Sequence, residues 1–109
     1  MRNTDPHKAV DFMLEHAEKY ATAKANRIHI EEFRKSKKAL LMNQCSAETV
    51  NAREQYAYSH PDYIQLIEGL KQAVEIEESL RWKMTAAQMR VEIWRSMEAT
   101  ARAEGRAVQ

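Results

Sequence analysis

Four histidines and sixteen carboxylate side chains are the groups in this chain that could bind a metal ion. His16 directly follows Glu15, and His29 lies three residues before Glu32 on the same predicted helix. A di-iron site in a helical bundle requires Glu-x-x-His motifs, because both ligands must project from one helix face. No glutamate in this sequence stands three residues before a histidine. We therefore predict no metal site and no cofactor, and interpret the histidines as surface or half-buried residues.

Motifs for nucleophilic or phosphate chemistry are also absent from the sequence. Cys45 is the single cysteine, so it cannot form an intramolecular disulfide, and no histidine is adjacent to it. Gly69 and Gly105 are far apart, which excludes a glycine-rich phosphate loop. His60 directly precedes Pro61 and is interpreted as a turn residue. These residues indicate no catalytic site, and we predict that the protein is not an enzyme.

One stretch of the chain is richer in positive charge than the rest. Its basic residues, set against only Glu31 and Glu32, are Lys24, Arg27, Arg34, Lys35, Lys37 and Lys38. Such a stretch can contact phosphate groups, so nucleic-acid binding is one functional hypothesis. The preferred interpretation is a solvated helix face that complements the helix dipole and an opposing acidic stretch. The acidic residues are Glu68, Glu75, Glu77 and Glu78.

Aromatic residues in the second half of the chain suggest a binding surface. Trp82 lies beside Arg81 and Lys83 and off the main apolar row of its helix, so we expect it to face solvent or a partner. Tyr56 and Tyr58 are further candidates for partner contact. Trp and Tyr contribute much of the binding energy at protein interfaces. The preferred interpretation is nevertheless that these rings pack against the short middle helix.

Length and composition restrict the class of protein. The 109 residues are enough for one modest core, and we predict a single helical domain over residues 1–109. Glycine and proline occur only twice each, which favours long helices. The hydrophobic fraction of 44% argues against disorder. Because no apolar leader or membrane-length apolar run is found, we expect no membrane association and a cytoplasmic location.

The first helix is predicted over residues 5–43. Thr4 or Asp5 can accept hydrogen bonds from the first backbone N–H groups, and Pro6 suits the first helical turn. One face is predicted from residues spaced by four and three: Val10, Leu14, Ala17, Ala21, Lys24 and Ile28. A second row, out of step with the first, contains Ile30, Phe33, Lys37 and Leu40. We therefore expect a bend or a change of packing partner near residues 28–30.

Two further helices are predicted over residues 47–59 and 61–104. Ser46 is the expected N-cap of the short helix, and Pro61 ends it because the residue before a proline disfavours the α conformation. Gly105 should end the long helix and leave residues 105–109 frayed. A four–three row runs along this helix and contains Leu66, Leu70, Ala73, Glu77, Leu80, Met84, Ala87, Val91, Trp94, Glu98 and Ala101.

These elements predict an all-α fold in which two long helices form an antiparallel hairpin joined by a short connecting helix. The apolar surface of the last helix is wider than one partner helix needs. We therefore predict a homo-oligomer, most simply a dimer that forms a helical bundle. Its core row would include Leu66, Leu70, Leu80, Met84, Val91 and Trp94. The alternative is a bent first helix that packs within the chain as two pieces.

Three segments of the second half resemble a known group of proteins. They are Arg53–Tyr63, Glu77–Met84 and Val91–Ser96. Across about Ala47 to Arg106 the chain resembles small helical proteins of temperate tailed phages and prophages of enteric bacteria, encoded among early recombination and replication genes. The resemblance implies a phage origin, action inside a bacterial host cell and an association with DNA metabolism. It implies no catalytic residues.

Two functional hypotheses follow. In the first, the protein is an interaction or adaptor protein that binds a host or phage protein through its surplus apolar helix surface and Trp82. In the second, it is a nucleic-acid-binding accessory protein that uses the Lys24–Lys38 stretch. The formal net charge of only +1 favours the interaction protein, because the field of the whole molecule gives little attraction for phosphates.

Overall fold

The structure is a computed structural model that describes residues 5–107 and contains three α-helices. They are α1 (Pro6–Gln44), α2 (Val50–Ser59) and α3 (Pro61–Ala107). No β-strand occurs among the described residues. The all-α prediction is confirmed, and the predicted limits of α1 and the predicted start of α3 agree with the structure to within one residue.

The start of α1 is capped by the side chain of Asp5. Its Oδ1 accepts a hydrogen bond from the backbone N–H of His7 at 2.9 Å. An acceptor at this position satisfies one of the backbone donors that the first helical turn leaves unpaired. Thr4, the other predicted cap, lies outside the described residues.

The start of α2 lies three residues later than predicted. Its N-cap is Thr49, whose hydroxyl accepts from the backbone N–H of Ala52 at 3.1 Å, so the predicted Ser46 cap is wrong. The side chain of Arg53 reaches back from α2 and donates from Nε to the carbonyl of Ala47 at 2.6 Å. That carbonyl is bound by a side chain rather than by a helical N–H, which fits a helix that starts after it.

His60 joins α2 to α3. It is the C-cap of α2, with an extended ψ of 136°, as expected for a residue before proline. Its backbone N–H donates to the carbonyl of Ala57 at 3.3 Å, and its Nδ1 accepts from the backbone N–H of Asp62 at 3.0 Å. His60 is therefore a turn residue, as predicted, and its ring also caps the start of α3.

The end of α3 differs from the prediction. The helix continues through Gly105 to Ala107, so residues 105–107 are helical rather than frayed. Gly105 does not adopt the left-handed backbone conformation that a helix-ending glycine uses. It is therefore an ordinary helical residue, and the last two residues of the predicted frayed tail, 108 and 109, lie outside the described part.

The described chain forms two compact units. The first unit contains the chain up to Tyr20 and from Ser79 onward, and the second is Ala21–Glu78. Both long helices contribute to each unit, whereas α2 belongs to the second. The division does not test the single domain expected from chain length, which stays a prediction.

Within the second unit, α1 and α3 run antiparallel. Arg27 contacts Glu77, and Lys37, ten residues further along α1, contacts Asp62 near the start of α3. The side chains buried here are small apart from one leucine and one glutamate. They are Ala23, Leu41, Ala57, Ala73 and Glu77.

Within the first unit, the beginning of α1 packs against the middle of α3. Ala9 and Ala87 are both buried. They line one cavity of about 420 Å³ together with Phe12 and Ala86 and the basic residues around them. Alanine at facing positions allows two helices to approach closely, so little side-chain volume is buried where they meet.

The inward face of α1 is displaced by one residue from the first predicted row, which begins at Val10, whereas Ile30 and Lys37 of the second predicted row do lie on it. Leu14, a member of the predicted face, is 72% exposed. The α-helix is also uninterrupted through residues 28–30, and the expected slip in the row is absent. The less exposed positions keep one four–three spacing along the whole helix: Ala9, Met13, His16, Tyr20, Ala23, Arg27, Ile30, Arg34, Lys37 and Leu41.

Candidate functional site

An arginine of α1 and a glutamate of α3 form a two-pronged ion pair in the second unit. Nε of Arg27 lies 2.7 Å from Oε2 of Glu77, and Nη2 lies 2.8 Å from Oε1. A third donor, Nη1, lies 3.1 Å from Oε2 of Glu31. The side chain of Glu77 is only 8% exposed. Arg27, a predicted nucleic-acid contact, therefore takes part in helix packing.

These contacts also affect the titration of Arg27. Its hydrogen bonds to Glu77 raise the pKa of the guanidinium above its ordinary value. Partial burial opposes that shift, and the hydrogen bond to Glu31 adds to it. Hydrogen bonding to the charged form favours that form, so Arg27 stays protonated at any pH of biological interest.

Two lysines at the end of the basic stretch lie within reach of carboxylates from the other helices. Nζ of Lys37 is 3.7 Å from Oδ2 of Asp62, at the start of α3. Nζ of Lys38 is 3.6 Å from Oε1 of Glu54 in α2. These pairs neutralise part of the positive charge that the sequence concentrates here. Asp62 and Glu54 lie outside the predicted acidic stretch, whose Glu77 pairs with Arg27.

Three of the basic residues line a cavity of about 400 Å³ where the three helices meet in the second unit, and Lys24 lies outside it. α1 supplies Arg34, Lys35 and Lys38, α2 supplies Tyr58 and α3 supplies Tyr63. The two tyrosine rings meet edge to face, with centroids 5.3 Å apart. Nζ of Lys38 lies 4.8 Å from the centroid of Tyr58. We call this group the tyrosine–cation cavity.

The tyrosine–cation cavity combines residues that the sequence assigned to two different roles. Arg34, Lys35 and Lys38 were predicted phosphate contacts, and Tyr58 was a predicted partner contact. Tyr63 was not singled out as a site residue. A usable signal was its position directly after the turn at Pro61, because that turn brings the start of α3 back to the second half of α1.

Hydrogen bonding to Tyr58 raises the pKa of Lys38 above its ordinary value. Partial burial opposes the shift, and the carboxylate of Glu54 adds to it. The ammonium group therefore remains charged throughout the neutral range. A permanent positive charge beside an aromatic ring is suited to an anionic ligand.

The other aromatic candidates lie on separate parts of the chain. Trp82 belongs to the first unit, is 60% exposed, and has the guanidinium of Arg81 stacked 4.8 Å from its ring. Tyr56 belongs to the second unit, is partly exposed, and its ring meets that of His60 at 5.6 Å. Trp82 therefore has the solvent-facing position that the sequence indicated, and Tyr56 also helps to hold the α2–α3 turn.

The predicted apolar row of α3 is inward-facing over most of its length. Its half-buried members are Leu66, Leu70, Leu80, Met84 and Val91, and between them lie the buried Ala73, Glu77 and Ala87. Trp94 occupies the next position of the same row but is 39% exposed. The row therefore continues beyond Val91, its last half-buried position.

The last part of α3, residues 92–107, is exposed at every position. We call it the exposed end of α3. In the first unit, α1 begins at Pro6, and Lys8 and Arg90 both line the cavity between these helices. No described residue covers the helix after this point. Ile93, Trp94 and Met97 are the large apolar side chains that it presents to solvent.

Residues 5–107 contain neither a candidate metal-binding cluster nor a candidate membrane-spanning helix. In this range, no group of three or more His, Cys, Asp and Glu side chains is arranged to bind a metal ion. Cys45 is half-buried and its thiol is free. None of the three helices, as far as they are described, combines the length and the apolar character needed to cross a bilayer.

Comparison with known proteins gives no assignment: no protein-family model matches the chain, and neither a curated protein nor a solved structure is significantly similar to it. The phage resemblance, the absence of enzymatic activity and the cytoplasmic location therefore stay predictions.

Proposed function

We propose that this chain is a non-enzymatic helical interaction protein that binds another helix along the exposed end of α3. The observation that carries the proposal is the cluster of Ile93, Trp94 and Met97 on a helix segment in which every residue is exposed. Apolar surface gathered on one segment is typical of a binding surface, whereas single exposed apolar residues are ordinary. Tryptophan is also among the residues that contribute most to interface energies.

The register of α3 supports this proposal. Val91, Trp94, Glu98 and Ala101 continue the four–three spacing that faces α1 earlier in the helix. A row with this spacing is suited to packing against one further helix. Helices in proteins gain most of their stability from tertiary packing, so a partner would also stabilise this uncovered segment.

A second copy of the chain is the occupant we favour. The exposed end of α3 contains three carboxylates and three guanidinium groups, so two copies would bring together surfaces without net charge. The carboxylates belong to Glu92, Glu98 and Glu104, and the guanidinium groups belong to Arg95, Arg102 and Arg106. A two-fold dimer uses the same patch on both subunits, so one apolar cluster supplies both halves of the interface.

Light scattering on the full chain tests the proposal. We expect a dimer for the unmodified chain, and Met97→Glu should weaken the dimer by at least about tenfold because it places a charge in the interface. Ser96→Glu is the matched control: it adds the same charge at the neighbouring polar position and should leave the dimer intact. A monomer at every concentration, or equal effects of both variants, would contradict self-association through this surface.

The phage resemblance supports a further part of the proposal. It favours action inside a bacterial host cell on a host or phage protein, with DNA recombination or replication as the process. Trp82, with its exposed ring, is the residue we expect such a partner to contact. Affinity capture from host lysate should then recover a protein that the Trp82→Ala variant fails to recover, and identical recoveries would refute this contact.

Nucleic-acid binding is the second candidate function, and the tyrosine–cation cavity is the observation that favours it. The basic stretch as a whole is less suited to phosphate contacts, because Arg27 and Lys37 are paired with carboxylates. Titration with labelled single-stranded and double-stranded DNA at low salt tests it. Binding should weaken as salt rises, since phosphate contacts release counterions. Absence of salt-sensitive binding would rule out this function.

A further inference from the structure

The tyrosine–cation cavity carries more positive charge than its surroundings neutralise. Lys38 is balanced by Glu54 at 3.6 Å, and Lys35 lies 3.5 Å from Glu32 with both of these side chains largely exposed. Among residues 5–107, none forms a hydrogen bond or ion pair with the half-buried side chain of Arg34. One positive charge is therefore available to a ligand.

The chemistry of these cations favours a phosphate group. The planar guanidinium of Arg34 can donate two parallel hydrogen bonds to phosphate oxygens, which an ammonium cannot do. Lys35 and Lys38 lie on the same helix as Arg34 and can add point charges. Positions 34, 35 and 38 fall within about one helical turn, so the three side chains are neighbours on the helix surface. A doubly charged phosphate would compete well against the single carboxylates of Glu32 and Glu54.

The tyrosines supply the other half of the site. Tyr58 and Tyr63 form an aromatic wall on the side of the cavity contributed by α2 and α3. Aromatic side chains stack with nucleic-acid bases irrespective of the base, because every base has a π face. The cavity volume of about 400 Å³ lies within the range of small-molecule sites.

We propose that the tyrosine–cation cavity binds one nucleotide, with its phosphate against Arg34, Lys35 and Lys38 and its base against the rings of Tyr58 and Tyr63. A free mononucleotide and a nucleotide within a single strand offer the same chemistry. The site is independent of helix binding at the exposed end of α3. The proposal assigns nucleic-acid binding, the second candidate function, to this cavity rather than to the whole basic stretch.

Calorimetric titration of the full chain with adenosine monophosphate tests the site. We expect one saturable site, and Arg34→Gln should weaken binding by at least about tenfold because the unpaired guanidinium is removed. Lys19→Gln is the matched control, since it removes a positive charge from an exposed position of the same helix outside the cavity and should leave the affinity unchanged. Circular dichroism of each variant checks that the helices are intact.

Three further probes determine which part of the nucleotide is bound. Adenosine lacks the phosphate and inorganic phosphate lacks the base, so each should bind more weakly than adenosine monophosphate. Tyr63→Leu should bring the affinity for adenosine monophosphate down to that for inorganic phosphate. A short single-stranded oligonucleotide distinguishes a free mononucleotide from a nucleotide within a strand. If the oligonucleotide binds more tightly than the mononucleotide, and Arg34→Gln weakens its binding to the same extent, the bound nucleotide belongs to a strand.

Two results would overturn the proposal. The first is the absence of saturable binding by both the mononucleotide and the oligonucleotide. The second is an equal loss of affinity in Arg34→Gln and Lys19→Gln, which would mean that the ligand responds to overall charge and not to the cavity. Neither result affects the light-scattering test of the interaction function.

Discussion

The side chains of Arg27 and Glu77 join α1 to α3 through two parallel hydrogen bonds of 2.7 and 2.8 Å. Both residues occupy four–three positions that face the opposite helix, where apolar side chains are the rule. Burial of charges carries a desolvation cost, so such a pair contributes little net stability compared with apolar residues. The clearest effect of the Arg27–Glu77 pair is on the register of α1 and α3, because a shifted pairing of these helices would bury Glu77 away from the guanidinium of Arg27.

A double-mutant cycle on this pair should show strong coupling. Glu77→Leu alone leaves the half-buried guanidinium without its main partner, and Arg27→Met alone removes the guanidinium that binds the buried carboxylate through two hydrogen bonds. Each should lower the thermal midpoint, and the double variant should recover most of the loss because neither charge of the pair remains at the helix interface. Thermal unfolding followed by circular dichroism measures all three.

The exposed pair Glu92–Arg95 provides the control for this cycle. Its side chains are about two-thirds exposed, at a separation of 3.4 Å, so Glu92→Leu and Arg95→Met should show little coupling. Equal coupling in the two cycles would contradict a packing role for Arg27 and Glu77.

Leu41 and Leu40 form a matched pair for testing the core of the second unit. Leu41 is 1% exposed and is the largest fully buried side chain among the described residues, whereas its neighbour Leu40 is 52% exposed. Leu41→Ala should lower the free energy of unfolding by about 2–4 kcal/mol, through lost burial and the cavity it leaves. Leu40→Ala should cost about 1 kcal/mol or less. Urea unfolding measures both, and equal losses would disprove the assigned inward face of α1.

Thr49 and Ser46 distinguish the observed helix cap from the predicted one. Thr49→Ala removes the hydroxyl that accepts from Ala52 and should cost about 1 kcal/mol. Ser46 is exposed and lies before the helix, so Ser46→Ala should leave the free energy of unfolding almost unchanged. If the Ser46 variant showed the larger loss in urea unfolding, α2 would begin where the sequence indicated.

Gly69→Ala should stabilise the protein. Gly69 lies inside α3, and a Cβ built there would meet no atom within 4 Å. Alanine should therefore raise the free energy of unfolding by about 1 kcal/mol, the difference in helix propensity between the two residues. Gly105→Ala, at an equally open position in the last turn, should have a smaller effect because helix ends fray. A loss of stability on Gly69→Ala would show that this position is closely packed.

The sequence by itself determined the helices and most of their limits. Helix propensity and the position of proline act between residues a few places apart, so they can be read from a single chain. Pro61 therefore located the α2–α3 turn correctly. The row from Leu66 to Val91 was also readable, because its apolar members are separated by polar residues at helical spacing. The errors at Ser46 and Gly105 lie at helix ends, where several residues compete for the cap.

Only the tertiary structure decided which residues of α1 face inward. The inward row includes His16, Arg27 and Lys37, so its apolar content did not exceed that of the neighbouring row that begins at Val10. Charged residues enter such a row when the opposite helix supplies a partner, as Glu77 does for Arg27. That partner lies fifty residues away along the chain, so no local pattern could identify it.

The tyrosine–cation cavity depends on the tertiary structure in the same way. Arg34 and Lys38 were visible as basic residues, and Tyr58 as an aromatic one, but the two basic residues belong to α1 and the tyrosine to α2. Their common site exists because the turn at His60 and Pro61 returns α3 along α1 and holds α2 at the same end. Helix formation is a local property of the sequence, whereas the assembly of a site from three helices depends on contacts between residues far apart in the chain.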